Sequence, residues 1–267
     1  MRAVSRLAEC SINTVTKLLV DGGKLCGAFH DEMVRNLTST HVQADEIWSF
    51  CGAKERAIRQ NPGILARNPD AGDVWTFTAI DADSKLCVSY LVGDRTAANA
   101  YSFMSDIRSR MTERIQLTTD QLTIYMKAVD YAFGGDVDYG MLHKLYKGQD
   151  GAGRYSPAVC IGCEKRSFIG DPDPKHISTS FVERANLTMR MHMRRFTRLT
   201  NAFSKKFENH AHMVAIYTVW YNWIRPHKTL KGKTPAMAAG LTDRVWTMSE
   251  IVELMDQVAL VPATQPE

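Results

Sequence analysis

Between Val42 and Phe133 the spacing of apolar residues changes from every second position to every third or fourth and back, and few architectures accept that order. Val42–Phe50 and Val74–Ile80 read as strands. Leu86–Val92 follows across the turn Asp81-Ala-Asp-Ser84, which predicts a hairpin. Residues 96–110 carry helical spacing, Ile115–Thr119 is a short strand, and Gln121–Phe133 is another helix. This order predicts an α/β layer structure in which an antiparallel hairpin joins a parallel crossover.

The polar stretch 54–73 holds Asn61-Pro-Gly and Asn68-Pro-Asp-Ala-Gly and reads as a loop. Gly134–Pro174 is glycine-rich and poorly patterned, with at most one strand near Met141–Tyr146, so an ordered loop or flap is expected there. A helix is expected from Ile177 through about Leu199, and another from about Asn209 to Trp223. Thr234-Pro235 and Ser249 each open a later one. At the other end, residues 2–9 and 12–20 read as two helices with Ser11 as N-cap, followed by Gly22-Gly23 and a mixed helix near 27–36. The first two match the back half of a helix-turn-helix, which would turn Asn13, Thr14, Thr16 and Lys17 toward a DNA groove. A helical lead-in to the next domain fits them equally.

Composition excludes several classes. Hydrophobic residues make up 45% of the 267, which suits a packed core, and no run approaches the ~18 apolar residues of a membrane helix. With no charged head and apolar run at the start, a soluble cytoplasmic protein is expected. The net charge of +4 is too small to name a partner. Cysteines at 10, 26, 51, 87, 160 and 163 are too scattered for a disulfide framework. Cys160-x-x-Cys163 reads either as a turn with incidental thiols or as a half-site or redox pair.

Three acids stand out. Asp45 sits mid-strand among Val42, Ala44, Ile47 and Trp48, where Asp is poorly tolerated. Asp120 ends a short strand, at the edge where α/β sheets place ligand groups. Glu183 opens the helix after the glycine-rich stretch. Each has a plain alternative: Asp45 as a solvent-facing strand residue, Asp120 as a helix N-cap, and Glu183 as the end of a Ser180-x-x-Glu183 capping box. Together they suit phosphodiester chemistry, in which two metal ions ~3.5–4 Å apart activate the attacking oxygen and stabilise the leaving one. Mg²⁺ prefers oxygen ligands. In that reading Asp45 bridges both ions, and Asp120 and Glu183 complete one each.

On the helix carrying Glu183, the residues Glu183, Asn186, Arg190, Arg194 and Thr197 fall in one stripe. Phe181, Ala185, Met189, His192, Phe196 and Leu199 form an apolar one, expected to pack on the sheet. His192 is expected as a core histidine and Met189, Met191 and Met193 as packing. From Arg184 through Phe207 there are seven cations, Arg184, Arg190, Arg194, Arg195, Arg198, Lys205 and Lys206, and no acid, which favours a phosphate track. Tyr221–Met237 interleaves aromatics with Arg225, His227 and Lys228. Such a segment either stacks on bases and neutralises phosphates or simply ends a helix at Pro226.

Taken together, Val42-Gln-Ala-Asp-Glu-Ile-Trp-Ser-Phe, Leu117-Thr-Thr-Asp-Gln-Leu, Thr179-Ser-Phe-Val-Glu-Arg-Ala-Asn-Leu, Arg194-Arg-Phe-Thr-Arg-Leu-Thr-Asn-Ala-Phe-Ser-Lys-Lys and Tyr221-Asn-Trp-Ile-Arg-Pro-His-Lys-Thr-Leu are specific. Over residues 1–246 the chain resembles DDE-type transposases of bacterial insertion sequences, most closely the insertion-sequence-one family and its relatives. The resemblance implies a ribonuclease-H-like mixed sheet flanked by helices, with Asp45, Asp120 and Glu183 holding two Mg²⁺ ions that Mn²⁺ can replace. It implies hydrolysis that frees a 3′-hydroxyl at each element end, attack of that hydroxyl on target DNA, and a homodimer or larger synaptic assembly on double-stranded DNA. Asn186 and Arg190 match a polar pattern after the glutamate, assigned to DNA or active-site support. The expected organisation is a partial helix-turn-helix over 1–38, truncated at its start relative to the family, a catalytic domain over 39–230 and a helical tail over 231–267. Two other readings stand beside it: an inactive DNA-binding remnant, and a ribonuclease-H-like structure-specific nuclease.

Overall fold

A computed structural model of the chain describes residues 1–147, 159–197 and 201–260. They fall into two compact units, one formed by Asn36–Ile47 with Thr76–Thr188, the other by Met1–Arg35, Trp48–Trp75 and the chain from Met189 onward. The architecture is α/β, with one mixed sheet flanked by helices. Its strands are β1 (His41–Cys51), β2 (Gly72–Asp81), β3 (Cys87–Gly93), β4 (Ile115–Asp120), β5 (Val137–Lys147) and β6 (Val159–Ile169), in the order β3-β2-β1-β4-β5-β6.

In the unit around β4, the turn after β2 is held by Asp81, whose amide donates to the Leu86 carbonyl at 2.9 Å and whose carboxylate accepts from the Ser84 hydroxyl at 2.8 Å. After this hairpin, α5 (Ala97–Arg110) begins on Thr96, whose hydroxyl caps the Asn99 amide. Helix α6 (Thr123–Phe133) ends at Gly134, which takes the left-handed conformation. The α5 and α6 helices pack on each other, and Phe103 and Tyr125 bring rings to within 5.5 and 6.4 Å of Phe77 on β2. Strand β4 is central. It pairs in parallel with β1, from His41 opposite Gln116 to Ala44 opposite Thr119, and in parallel with β5, ending with Asp120 opposite Leu142.

The glycine-rich stretch expected as a loop holds two eleven-residue strands, β5 and β6, paired antiparallel. Residues 148–158 of it lie outside the described residues. The strand allowed near Met141–Tyr146 is the later part of β5, and Gly140 just before it is a contact point, where a Cβ would sit 2.7 Å from Ile177 Cγ1. The helix expected from Ile177 to Leu199 is shorter. Helix α7 runs Ser180–His192, Arg194–Phe196 is a 3₁₀ turn, and Leu199 lies outside the described residues.

The other unit is mainly helical. Helix α1 (Arg2–Leu7) precedes α2 (Ile12–Met33), whose cap is Ser11 accepting from the Thr14 amide. The expected break at Gly22-Gly23 is absent, and α2 runs straight through. Gly23 is a contact point, where a Cβ would lie 2.7 Å from His212 Cα on α8 (Phe207–Val219). The loop expected over 54–73 contains the short helices α3 (Glu55–Gln60) and α4 (Gly63–Arg67), with the Asp73 carboxylate accepting from the Glu55 amide. Below α8, Trp223 is fully buried, edge-on to Phe29 at 5.0 Å. Helices α9 (Pro235–Ala238) and α10 (Met248–Leu260) follow, α9 capped by Thr234 as expected. Among the described residues no helix is long and apolar enough to cross a membrane.

Candidate metal centre

Parallel pairing brings the first two acids together. Asp45 and Asp120 come next in their strands after the paired Ala44 and Thr119, on neighbouring strands that lie about 4.8 Å apart. One carboxylate oxygen from each of Asp45, Glu46 and Asp120 lies within 4.8 Å of the others. Glu183, from the first turn of α7, lines the same cleft as Asp45 and Asp120. The three acids expected from the sequence therefore share one cleft, and a fourth, Glu46, adjoins it.

Asp45 is half-buried and does not point to open solvent. Its Oδ2 accepts from Asn186 Nδ2 at 2.9 Å, and Asn186 Oδ1 accepts from the Thr78 hydroxyl at 2.8 Å, so a buried chain fixes the carboxylate. Burial, then repulsion from Asp120 and Glu46, pushes the Asp45 pKa up to about 7. Burial first, and Asp120 second, also raise Glu46, while burial raises Asp120. Asp120 is not the cap of α6, which starts on Leu122; its Oδ1 instead accepts from the Leu122 amide at 3.1 Å.

Glu46 was passed over in the sequence. Its Oε1 accepts from Arg95 Nε at 2.8 Å and its Oε2 from the Tyr125 hydroxyl at 2.9 Å. Both oxygens are thus held by the protein, and Glu46 orients the cluster more than it opens to a ligand. The visible signal was the Asp45-Glu46 doublet inside an apolar strand. Nothing local announced Arg95 or Tyr125. Glu183 is likewise not the end of a Ser180 capping box, since Ser180 lies inside α7. The Glu183 Oε1 is bonded by the Thr179 hydroxyl and ion-paired with Lys144 of β5.

A divalent cation fits this donor set. Asp45 and Asp120 are partly buried carboxylates that repel each other, and neither makes an ion pair among the described residues. Carboxylate oxygens are hard donors and suit a hard divalent cation better than a softer metal. Cys160 and Cys163, expected either as a turn with incidental thiols or as a half-site or redox pair, lie on β6 with sulfurs 4.0 Å apart, exposed, and join no cluster of three ligands among the described residues.

The residues expected on DNA are placed unequally. Asn186 is buried at 4% exposure with both ends of its amide committed, so it supports Asp45. Arg190 is half-buried, and Arg194 is exposed but on the 3₁₀ turn, so the straight polar stripe ends with α7 at His192. Arg195 is half-buried and donates to Ser204 at 2.8 Å. Lys205 and Lys206 are exposed, the Lys205 ammonium 3.5 Å above the Phe203 ring. Arg198 lies outside the described residues. Arg225 stacks on Trp220 and reaches His192 Nδ1 at 3.3 Å, His227 is half-buried against Tyr221, and Lys228 is exposed. In the first turns of α2, Asn13, Thr14 and Lys17 are exposed, Thr16 bonds the Ile12 carbonyl, and Lys17 pairs with Asp21.

The apolar stripe of α7 is rotated from expectation. Val182, Asn186, Met189 and Met193 are buried, while Phe181 is exposed under the Lys85 ammonium. Met191 and His192 are exposed as well, because the buried face is completed by an asparagine that a hydrophobic pattern does not count. No protein-family model and no curated protein matches the chain, so its reading rests on the chemistry of this cleft.

Proposed function

We propose that the protein is a DDE-type DNA transposase, built on a ribonuclease-H-like fold, that cleaves at element ends and transfers the freed 3′-hydroxyl strand to target DNA. The observation that carries the reading is the meeting of Asp45 and Asp120 across two parallel strands, with Glu183 from a later helix lining the same cleft. Asp45, Asp120 and Glu183 hold divalent cations. Such ions supply activation of the attacking oxygen and stabilisation of the leaving one. The chain itself does the positioning: Thr78 and Asn186 orient Asp45, Arg95 and Tyr125 fix Glu46 beside it, and Thr179 fixes Glu183. Water and a DNA hydroxyl are the nucleophiles, so no side-chain nucleophile is required.

The exposed cations Arg194, Lys205, Lys206 and Lys228, and the start of α2, are the surfaces that would meet double-stranded DNA. Two ends must be held at once, which calls for a dimer or larger assembly. The test uses the DNA on either side of the gene, searched for inverted repeats and ending in them where they are found, with a target plasmid and Mg²⁺. Joined products support the proposal. Hydrolysis of branched or hybrid DNA without joining favours a structure-specific nuclease, and binding without cleavage favours a remnant.

A further inference from the structure

Lys144 is a cleft residue that neither the sequence pattern nor the proposed chemistry uses, and it touches one of the three acids. It lies on β5 two residues beyond Leu142, which faces Asp120 across the sheet, so alternation along the strand puts it on the same side as that pair. Its ammonium is paired with Glu183 Oε1, the oxygen that Thr179 also bonds. Lys144 thus engages one oxygen of an acid that the centre needs, while Asp45 and Asp120 make no direct ion pair among the described residues.

We propose that Lys144 is a positioning residue for the centre: it is the resident counter-ion of Glu183 in the ion-free protein, and a divalent cation that takes Glu183 competes with it for that carboxylate. This rests on the metal-centre reading above. The pair is built to yield. Its two side chains are 27% and 40% exposed, which places it with the weak ion pairs that solvent screens. Thr179 keeps its bond to Glu183 when Lys144 leaves, so the carboxylate stays on the cleft wall. Lys144 therefore sets how tightly the centre loads without changing which atoms the cation meets.

The test measures Mn²⁺ affinity, read from the electron paramagnetic resonance signal of free Mn²⁺, for the full chain, K144M, K144R, E183Q and K144M/E183Q. Methionine keeps the packing of the stem and removes the charge, and K144Q replaces it if K144M does not fold. K144M is expected to bind Mn²⁺ about fivefold more tightly, the equivalent of about 1 kcal/mol. K144R is expected to stay near wild type, and the K144M effect is expected to vanish in the E183Q background. Unchanged or weaker binding by K144M overturns the proposal. So does a fivefold gain that persists with E183Q, because Lys144 would then act by general charge and not through Glu183. Failure of the wild type and every variant to bind Mn²⁺ removes the metal centre itself, and the role of Lys144 with it.

Discussion

Replacing Asp45 by Asn should stabilise the ion-free protein at alkaline pH, a direction opposite to most changes at a half-buried, hydrogen-bonded position. Burial and the neighbouring acids lift the Asp45 pKa from about 3.8 to about 7. Between those values the folded protein holds a proton that the unfolded chain has released, so stability falls as the pH rises through that window. At about 1.4 kcal/mol per tenfold change in proton affinity, the cost at pH 8 reaches about 4 kcal/mol. That is a large share of the ~5–15 kcal/mol that holds a domain together. Asparagine removes the charge and keeps an oxygen to accept from Asn186. Urea unfolding with chelator at pH 5 and pH 8 should show a gain of up to about 4 kcal/mol for D45N at pH 8, shrinking toward pH 5. Mn²⁺ should stabilise the wild type at pH 8 and leave D45N unmoved. If D45N proves no more stable than wild type at pH 8, the raised Asp45 pKa assigned to burial and the neighbouring acids is refuted.

Three further perturbations probe its supports. Asn186→Ala removes a charge-assisted hydrogen bond of about 1.5–3 kcal/mol from Asp45, so the onset of Mn²⁺ binding should move up by at least about one pH unit, and an unchanged pH profile would contradict the orienting role. His210 is buried between Ser49 and Ser204, and burial, then Arg195, holds its pKa down at about 4. The unfolded chain takes up that proton first, so this group costs stability as the pH falls from about 6.5 to 4, by about 3 kcal/mol in all. Urea unfolding of H210N against its parent, both carrying D45N to silence the opposing titration, should show the acid loss flattened. Gly23→Ala should lower stability by about 1–3 kcal/mol in thermal melts although Ala favours helix, because its Cβ would meet the backbone of His212 at 2.7 Å.

What the sequence revealed and what it concealed follow from the range of each signal. β1 to β4 and α5 were legible because their apolar period is local, and Asp45 because an acid in such a strand is anomalous. The strand near Met141–Tyr146 was legible, but the full length of β5 was not, because Gly140 belongs to a close approach by Ile177, thirty-seven residues away, and reads locally as loop; β6 was not read at all. The same confusion broke α2 at Gly22-Gly23, where the glycine serves contact with α8. Asn186 was placed on the polar stripe, for DNA or active-site support, but its burial was not legible, because a buried polar side chain is defined by its partners, Thr78 and Asp45, which lie far off in the chain. Lys144 and Arg95 carry no pattern at all. Their roles exist only once the strands bring Glu183 and Glu46 to them.

The most direct test is single-turnover cleavage of repeat-ended duplex by the wild type, D45N, D120N and E183Q, each with Mg²⁺, with Mn²⁺ and with chelator. Cutting by the wild type with either ion, none with chelator, and a loss of activity common to all three variants is the predicted outcome. Cleavage that survives chelation, or persists at wild-type rate in any one of the three variants, would contradict the assignment of these acids to one metal-holding centre.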